Sequence, residues 1–234
     1  MKTLVLPHEE LISAATNHVV RLLQRKPEAV IALSASEPCL SLCHALSAKQ
    51  REGVLSLRSA RFFSITEFEG LSPEGGHGRG RRLKSFFAEN TDADMSRFTV
   101  LSEENLDSYD ELIRQAGGLD LAIPELGGNS RVGFNEPATP FDTRTHRQKL
   151  TNPTRRELAE DFGGEEQVPV YGLTMGIKTL VEAGELLILA EGEEKARAVF
   201  HMLYARDDSI YPAAFLQIPL QVTVLVDEAA AAKL

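Results

Sequence analysis

The sequence predicts an α/β fold: a doubly wound, mostly parallel sheet with helices on both faces, in a single domain spanning 1–234. Three observations predict it. Short continuous apolar runs recur along the chain, such as AVIAL at 29–33 and LLILA at 186–190. Strands buried on both faces read this way, whereas strands with one wet face alternate. Stretches with helical periodicity separate the runs, as crossover connections require. At 234 residues and 43% hydrophobic content the chain is also long and apolar enough to bury one sizeable core.

The elements follow in order. Residues 2–6 are strand-like. Leu11, Ile12, Ala15, Val19, Leu22 and Leu23 recur at helical spacing, so 8–25 reads as an amphipathic helix with His18 beside its apolar stripe as a core-edge residue. Residues 29–33 form a buried strand, 37–50 a helix and 60–65 a strand. Later strands fall at 98–101, 119–123, 186–190 and 222–226, and later helices near 106–116, 154–162, 177–183, 193–205 and 212–217. In such a sheet the ligand is expected outside the carboxyl ends of the strands. Residues 70–82, GLSPEGGHGRGRR, read as a mobile loop with a cationic tip, and the AAAAKL tail as a fraying end.

Composition excludes several classes. A formal charge of -9 disfavours a nucleic-acid partner, since affinity for phosphate backbones depends on clustered Lys and Arg. No run approaches the roughly 18 apolar residues of a membrane span, and the apolar start of MKTLVLPHEE is too short for a secretory segment. Cys39 and Cys43 share a helix face beside His44, but a fourth metal ligand is lacking nearby; two buried thiols in a reducing cytoplasm are expected, with no metal. The spaced glycines of 70–82 neither follow a strand directly nor open a helix with an acidic residue about 20 positions on, so no dinucleotide cofactor is expected.

The most informative stretch follows the LDLAI strand: ELGGNSRVGFNEPATP. Gly127 and Gly128 permit close backbone approach, Asn129 and Ser130 offer short polar groups, and Asn135, Glu136 and Pro137 make a polar turn. GGLDLAIPELGGNSRVGFNEPATPF resembles the strand-and-loop signature of the glucosamine-6-phosphate deaminase/isomerase family, whose usual form is G-x-D-L-x-x-x-G-x-G-x-D-G-H-x-x-F-N-E-P. The likeness continues through VPVYGLTMGIKTLVEAGELLILAEGEEKA and FLQIPLQVTVLVDE, and the FNEP element separates this family from the 6-phosphogluconolactonases that share its fold. The resemblance implies a modified Rossmann sheet, a phosphorylated amino sugar as ligand and neither nucleotide nor metal cofactor.

The departures concern the chemistry. The family opens the sugar ring with a His and moves a proton between C1 and C2 with an Asp. Here Asn129 stands where the signature has Asp, Arg131 where it has His, and Thr66-Glu67 where the family has an Asp-Glu pair. An amide has no useful basicity, and a guanidinium with a pKa above about 12 accepts no proton near neutral pH. Glu136 is retained. The family's phosphate loop, LPTGxTP, reads Leu33-Ser34-Ala35-Ser36-Glu37-Pro38, which loses both glycines and gains a carboxylate. Lys195 corresponds to the family's phosphate-contacting lysine; Arg155 and Arg156 lie near its arginine-bearing helix, with Glu160 at the ligand arginine's position.

The resemblance thus implies the family's fold and pocket with altered chemistry, acting on or binding a sugar phosphate or other small anionic metabolite. Glu67, Glu69 or Glu136 could supply a relocated base; a non-catalytic sensor, an interaction subunit and a homo-oligomer remain open alternatives. The expected site comprises Thr66, Glu67, Asn129, Arg131 and Glu136, with Ser34, Ser36, Gly127, Asn135 and Lys195 toward the ligand. Arg131 requires an anionic partner, either a ligand or one of Glu67, Glu69 and Glu136; the internal pair is the expected arrangement.

Overall fold

The computed structural model describes residues 1–71, 76–206 and 210–234. Its strands are β1 (Lys2–Val5), β2 (Val30–Leu33), β3 (Arg61–Ser64), β4 (Thr66–Phe68), β5 (Phe98–Thr99), β6 (Leu121–Ile123), β7 (His146–Lys149), β8 (Tyr171–Thr174), β9 (Glu185–Ala190) and β10 (Val222–Val226). The α-helices are α1 (His8–Arg25), α2 (Glu37–Arg51), α3 (Arg79–Asn90), α4 (Tyr109–Gln115), α5 (Asn152–Glu157), α6 (Ala159–Phe162), α7 (Ile177–Val181) and α8 (Ala196–Tyr204).

Seven strands form one sheet in the order β1-β10-β9-β6-β2-β3-β5, and every neighbouring pair is parallel. Alternate residues feed two cores. Ile31, Leu33, Leu121 and Leu187 face one layer with α1, α2 and α3; Val30, Ala32, Ala122 and Ile188 face the other with α4, α7 and α8. The chain runs outward from β2 to β3 and β5, then returns across β2 to β6, β9 and β10. The order therefore reverses between β2 and β6, which opens a crevice at their carboxyl ends.

A second sheet, β4-β8-β7, is antiparallel and lies outside the predicted scheme. None of its strands carries an apolar run. β7 reads HRQK, β8 contains Gly172, and β4 has only three residues. These strands close over a small apolar cluster of Phe68, Phe134, Leu150, Leu158 and Val168.

Four predicted elements change. Within 70–82, residues 72–75 lie outside the described residues, but Arg79 to Arg82 open helix α3. The reason is Glu67, whose carboxylate accepts hydrogen bonds from the α3 backbone N–H groups of Arg79 (2.9 Å), Gly80 (3.1 Å) and Arg81 (3.3 Å). An anion satisfying the free donors at a helix start stabilises the helix without a local capping residue. The predicted helix at 154–162 is two short helices joined at Leu158, and 212–217 is a 3-10 turn. The tail is tied down, for Ala230 is fully buried and the Ala231 and Ala232 amides donate to Asp227 and Ala229 carbonyls.

Candidate functional site

A cleft of about 430 Å³ opens at the β2/β6 crossover. Its walls come from the chain leaving β2 (Ala35, Ser36, Glu37, Pro38), β6 (Glu125, Leu126) and β9 (Glu191, Glu194, Lys195), with Arg79 and Arg82 of α3 and the α5–α6 segment opposite. A larger hollow of about 800 Å³, between Asp110, Gly118, Arg144 and Glu182, lies at the amino ends of β6 and β9. The carboxyl-end cleft is the candidate site, because there loops and helix starts converge while the fold behind them stays fixed.

Arg131 lies behind the cleft wall and holds two of its lining residues, Glu125 and Glu157. Its side chain is fully buried, and the guanidinium donates to Glu125 (2.8 Å), Glu157 (3.2 Å) and the Gly133 carbonyl (2.5 Å). Arg79 reaches the other oxygen of Glu125 while stacking over Phe68 and Phe134, and Lys195 donates to Glu157 at 2.5 Å. The result is one continuous chain of charge: Arg79, Glu125, Arg131, Glu157, Lys195. Burial alone would raise the Glu125 carboxyl, but the guanidiniums of Arg131 and Arg79 more than reverse this and hold it well below the usual carboxylate range. Burial opposes the Arg131 charge in the same way, and Glu125 and Glu157 overcome it, so the guanidinium is held even more firmly charged. Glu157 is lowered too, with burial outweighed by Arg131 and Lys195.

Arg131 is therefore paired internally, but not with Glu67, Glu69 or Glu136. Glu67 caps α3, and Glu69 forms a two-point pair with Arg147 at the surface (2.5 and 2.8 Å). Glu136 accepts from Asn129 (2.9 Å) and from the Thr151 amide (2.9 Å) and hydroxyl (3.1 Å). Each carboxylate named as a relocated base is thus already held by protein donors.

Of the expected site residues only Ser36 and Lys195 line the cleft; most of the others pack behind it, around the loop that follows β6. Asn129 joins Glu136 to Thr154 and accepts the Arg131 amide at 3.2 Å. Thr66 is buried beside Gly133, and its hydroxyl has no hydrogen-bond partner among the described residues. Asn135 donates to the carbonyls of Val132 (2.7 Å) and Met175 (2.8 Å), which fixes the turn. Gly127 leaves room for Arg131: a Cβ there would sit 2.3 Å from the Arg131 Cγ. The Ser34 and Ser36 hydroxyls are 3.2 Å apart, with Ser36 lining the cleft. Arg155 and Arg156 turn away to Glu165 and the Val168 carbonyl.

Sequence reasoning missed Arg79, Glu125 and Glu157. A signal existed for Glu125, which occupies a glycine position of the signature, six residues before a guanidinium that requires a carboxylate. Glu157 and Arg79 are 26 and 52 positions from Arg131 in opposite directions, and only folding brings them to it. Among the described residues no cluster of His, Cys, Asp and Glu is arranged to hold a metal ion, and no helix is long and apolar enough to cross a membrane.

Sheet order, crossover cleft and polar strand-exit loop together define a doubly wound α/β protein with its candidate site at the carboxyl edge of a parallel sheet. The chain is 35% identical to a glucosamine-6-phosphate deaminase of Bacillus velezensis over 230 residues, covering 96% of this chain and 95% of the relative. It is 34% identical to one from Mycolicibacterium smegmatis over 244 residues, covering 100% and 93%. Among solved structures, a monomeric glucosamine-6-phosphate deaminase superposes with a TM-score of 0.94 at 29% identity over the whole of both chains. The 6-phosphogluconolactonase of Trypanosoma brucei shares the fold, with a TM-score of 0.76 at 15% identity over 100% of this chain and 98% of that one. No family model matches the chain. It belongs to the glucosamine-6-phosphate deaminase family.

Proposed function

We propose that this chain binds a small amino-sugar metabolite in the crossover cleft and does not deaminate glucosamine-6-phosphate at an enzymatic rate. One observation carries the reading: the residue at the signature's histidine position is a fully buried guanidinium bonded to Glu125, Glu157 and a backbone carbonyl. Such a group neither accepts nor releases a proton near neutral pH. Thr66 supports the same reading, since a buried hydroxyl replaces the carboxylate the resemblance calls for. Loss of one acid/base group costs about 10² to 10⁴ in rate, and here three polar positions have changed.

A relocated-base isomerase is the second reading, favoured by the Glu160, Asp161 and Glu194 carboxylates at the cleft, for which no internal partner is found among the described residues. A coupled ammonia assay with glucosamine-6-phosphate decides between them. Turnover absent or far below about 1 per second is expected; turnover in the ordinary enzymatic range of about 1 to 10³ per second would remove the binding-only reading.

A further inference from the structure

The resemblance implies an anionic ligand, yet the wall of the cleft is itself net negative. Seven carboxylates line it against three cations, Arg79, Arg82 and Lys195. Two of those cations are engaged: Arg79 by Glu125 and Lys195 by Glu157. Glu191 takes His8 at 2.5 Å. Among the described residues no ion pair is found for Glu37, Glu160, Asp161, Glu194 or Arg82, which leaves four lining carboxylates to one guanidinium.

The features that would serve a phosphate are altered at the same place. Helix α2 points its amino end into the cleft, an arrangement that favours anions. Its first turn, however, already carries the Glu37 carboxylate, and Pro38 offers no N–H. The cavity defines the site, and its volume lies in the range of about 300 to 1,000 Å³ typical of small-molecule pockets. The charges on its wall define the occupant.

Resting on the binding reading above, we infer that the cleft selects an unphosphorylated, polyhydroxylated primary amine: an amino sugar recognised by its ammonium group, with a phosphate ester excluded. The ammonium replaces the missing cation among Glu37, Glu160, Asp161 and Glu194. The sugar hydroxyls meet the Ser36 hydroxyl at the exit of β2. A phosphate ester brings about -1.5 to -2 charges into the same field and is repelled.

The test is calorimetric titration of the full chain at low ionic strength with four probes: glucosamine, glucose, glucosamine-6-phosphate and inorganic phosphate. Glucosamine is expected to bind at least about tenfold more tightly than each of the others, a factor equal to about 1.4 kcal/mol. Glu160→Gln combined with Glu194→Gln changes two exposed residues and is expected to weaken glucosamine binding about fivefold or more, while the melting temperature of the free protein stays put. Raising the salt to about 0.5 M should weaken it further by screening. Tighter binding of glucosamine-6-phosphate or phosphate, no binding of any probe, or an unchanged glucosamine affinity in the double variant would each overturn the inference. Ammonia release from glucosamine-6-phosphate would instead overturn the binding-only reading, so the two failures are distinct.

Discussion

Removing Glu125 should damage this protein more than removing Arg131, although both belong to one ion pair. Glu125→Ala takes away the shared anion of Arg79 and Arg131. Arg131, with no exposed surface, is then left to Glu157 at 3.2 Å, itself already engaged by Lys195. Breaking a buried pair from one side costs about 3–5 kcal/mol, because a desolvated charge loses its partner. In a domain of this size each kcal/mol is worth about 2–4 °C, so the melting temperature should fall by about 6–20 °C. Arg131→Met nearly keeps the side-chain length and leaves both carboxylates paired, Glu125 with Arg79 and Glu157 with Lys195. No charge loses its last partner and only the hydrogen bond to the Gly133 carbonyl goes uncompensated, so a shift of no more than about 4 °C is expected, corresponding to about 1 kcal/mol. Thermal unfolding followed by circular dichroism measures both variants. Equal losses, or a larger loss for Arg131→Met, would show that packing rather than charge pairing controls stability here.

Further outcomes follow from the same structure. Glu125 and Glu157 have lowered pKa values in the folded state, so the stability they contribute is present above the unfolded value near 4.3 and is lost as pH falls below it; melting scans should show this acid-side slope, and it should flatten in Glu125→Gln. Cys39 and Cys43 are fully buried, and the Cys43 thiol is pushed up by its hydrogen bond with Cys39 and by burial. Ellman's reagent should therefore label neither in the native protein and both after unfolding; rapid native labelling would contradict the burial. Gly176→Ala places a Cβ 2.0 Å from the Thr143 carbonyl oxygen and 2.3 Å from that of Arg144, so a loss of at least about 1–3 kcal/mol is expected by denaturant titration. Leu220→Ser, at a residue 97% exposed, serves as the control and should stay within about 0.5 kcal/mol of the parent.

The parallel sheet and its two helical layers were legible from sequence, because burial writes itself into composition. β2, β9 and β10 are apolar on both faces, and α1 repeats its apolar residues with the period of a helix, so local pattern and tertiary role agree. The resemblance likewise located the loop at 125–136. Tertiary structure decided the rest. The HRQK strand β7 has no hydrophobic signal and exists because β8 supplies its hydrogen bonds. Helix α3 begins where a buried carboxylate from β4 meets its free amides, 12 residues from that glutamate. Arg131 announced from sequence that it needed an anion but not which one. The choice fell to Glu125 and Glu157 because backbone geometry, not separation along the chain, sets which charges approach within hydrogen-bonding distance, and a buried guanidinium is stable only where they do.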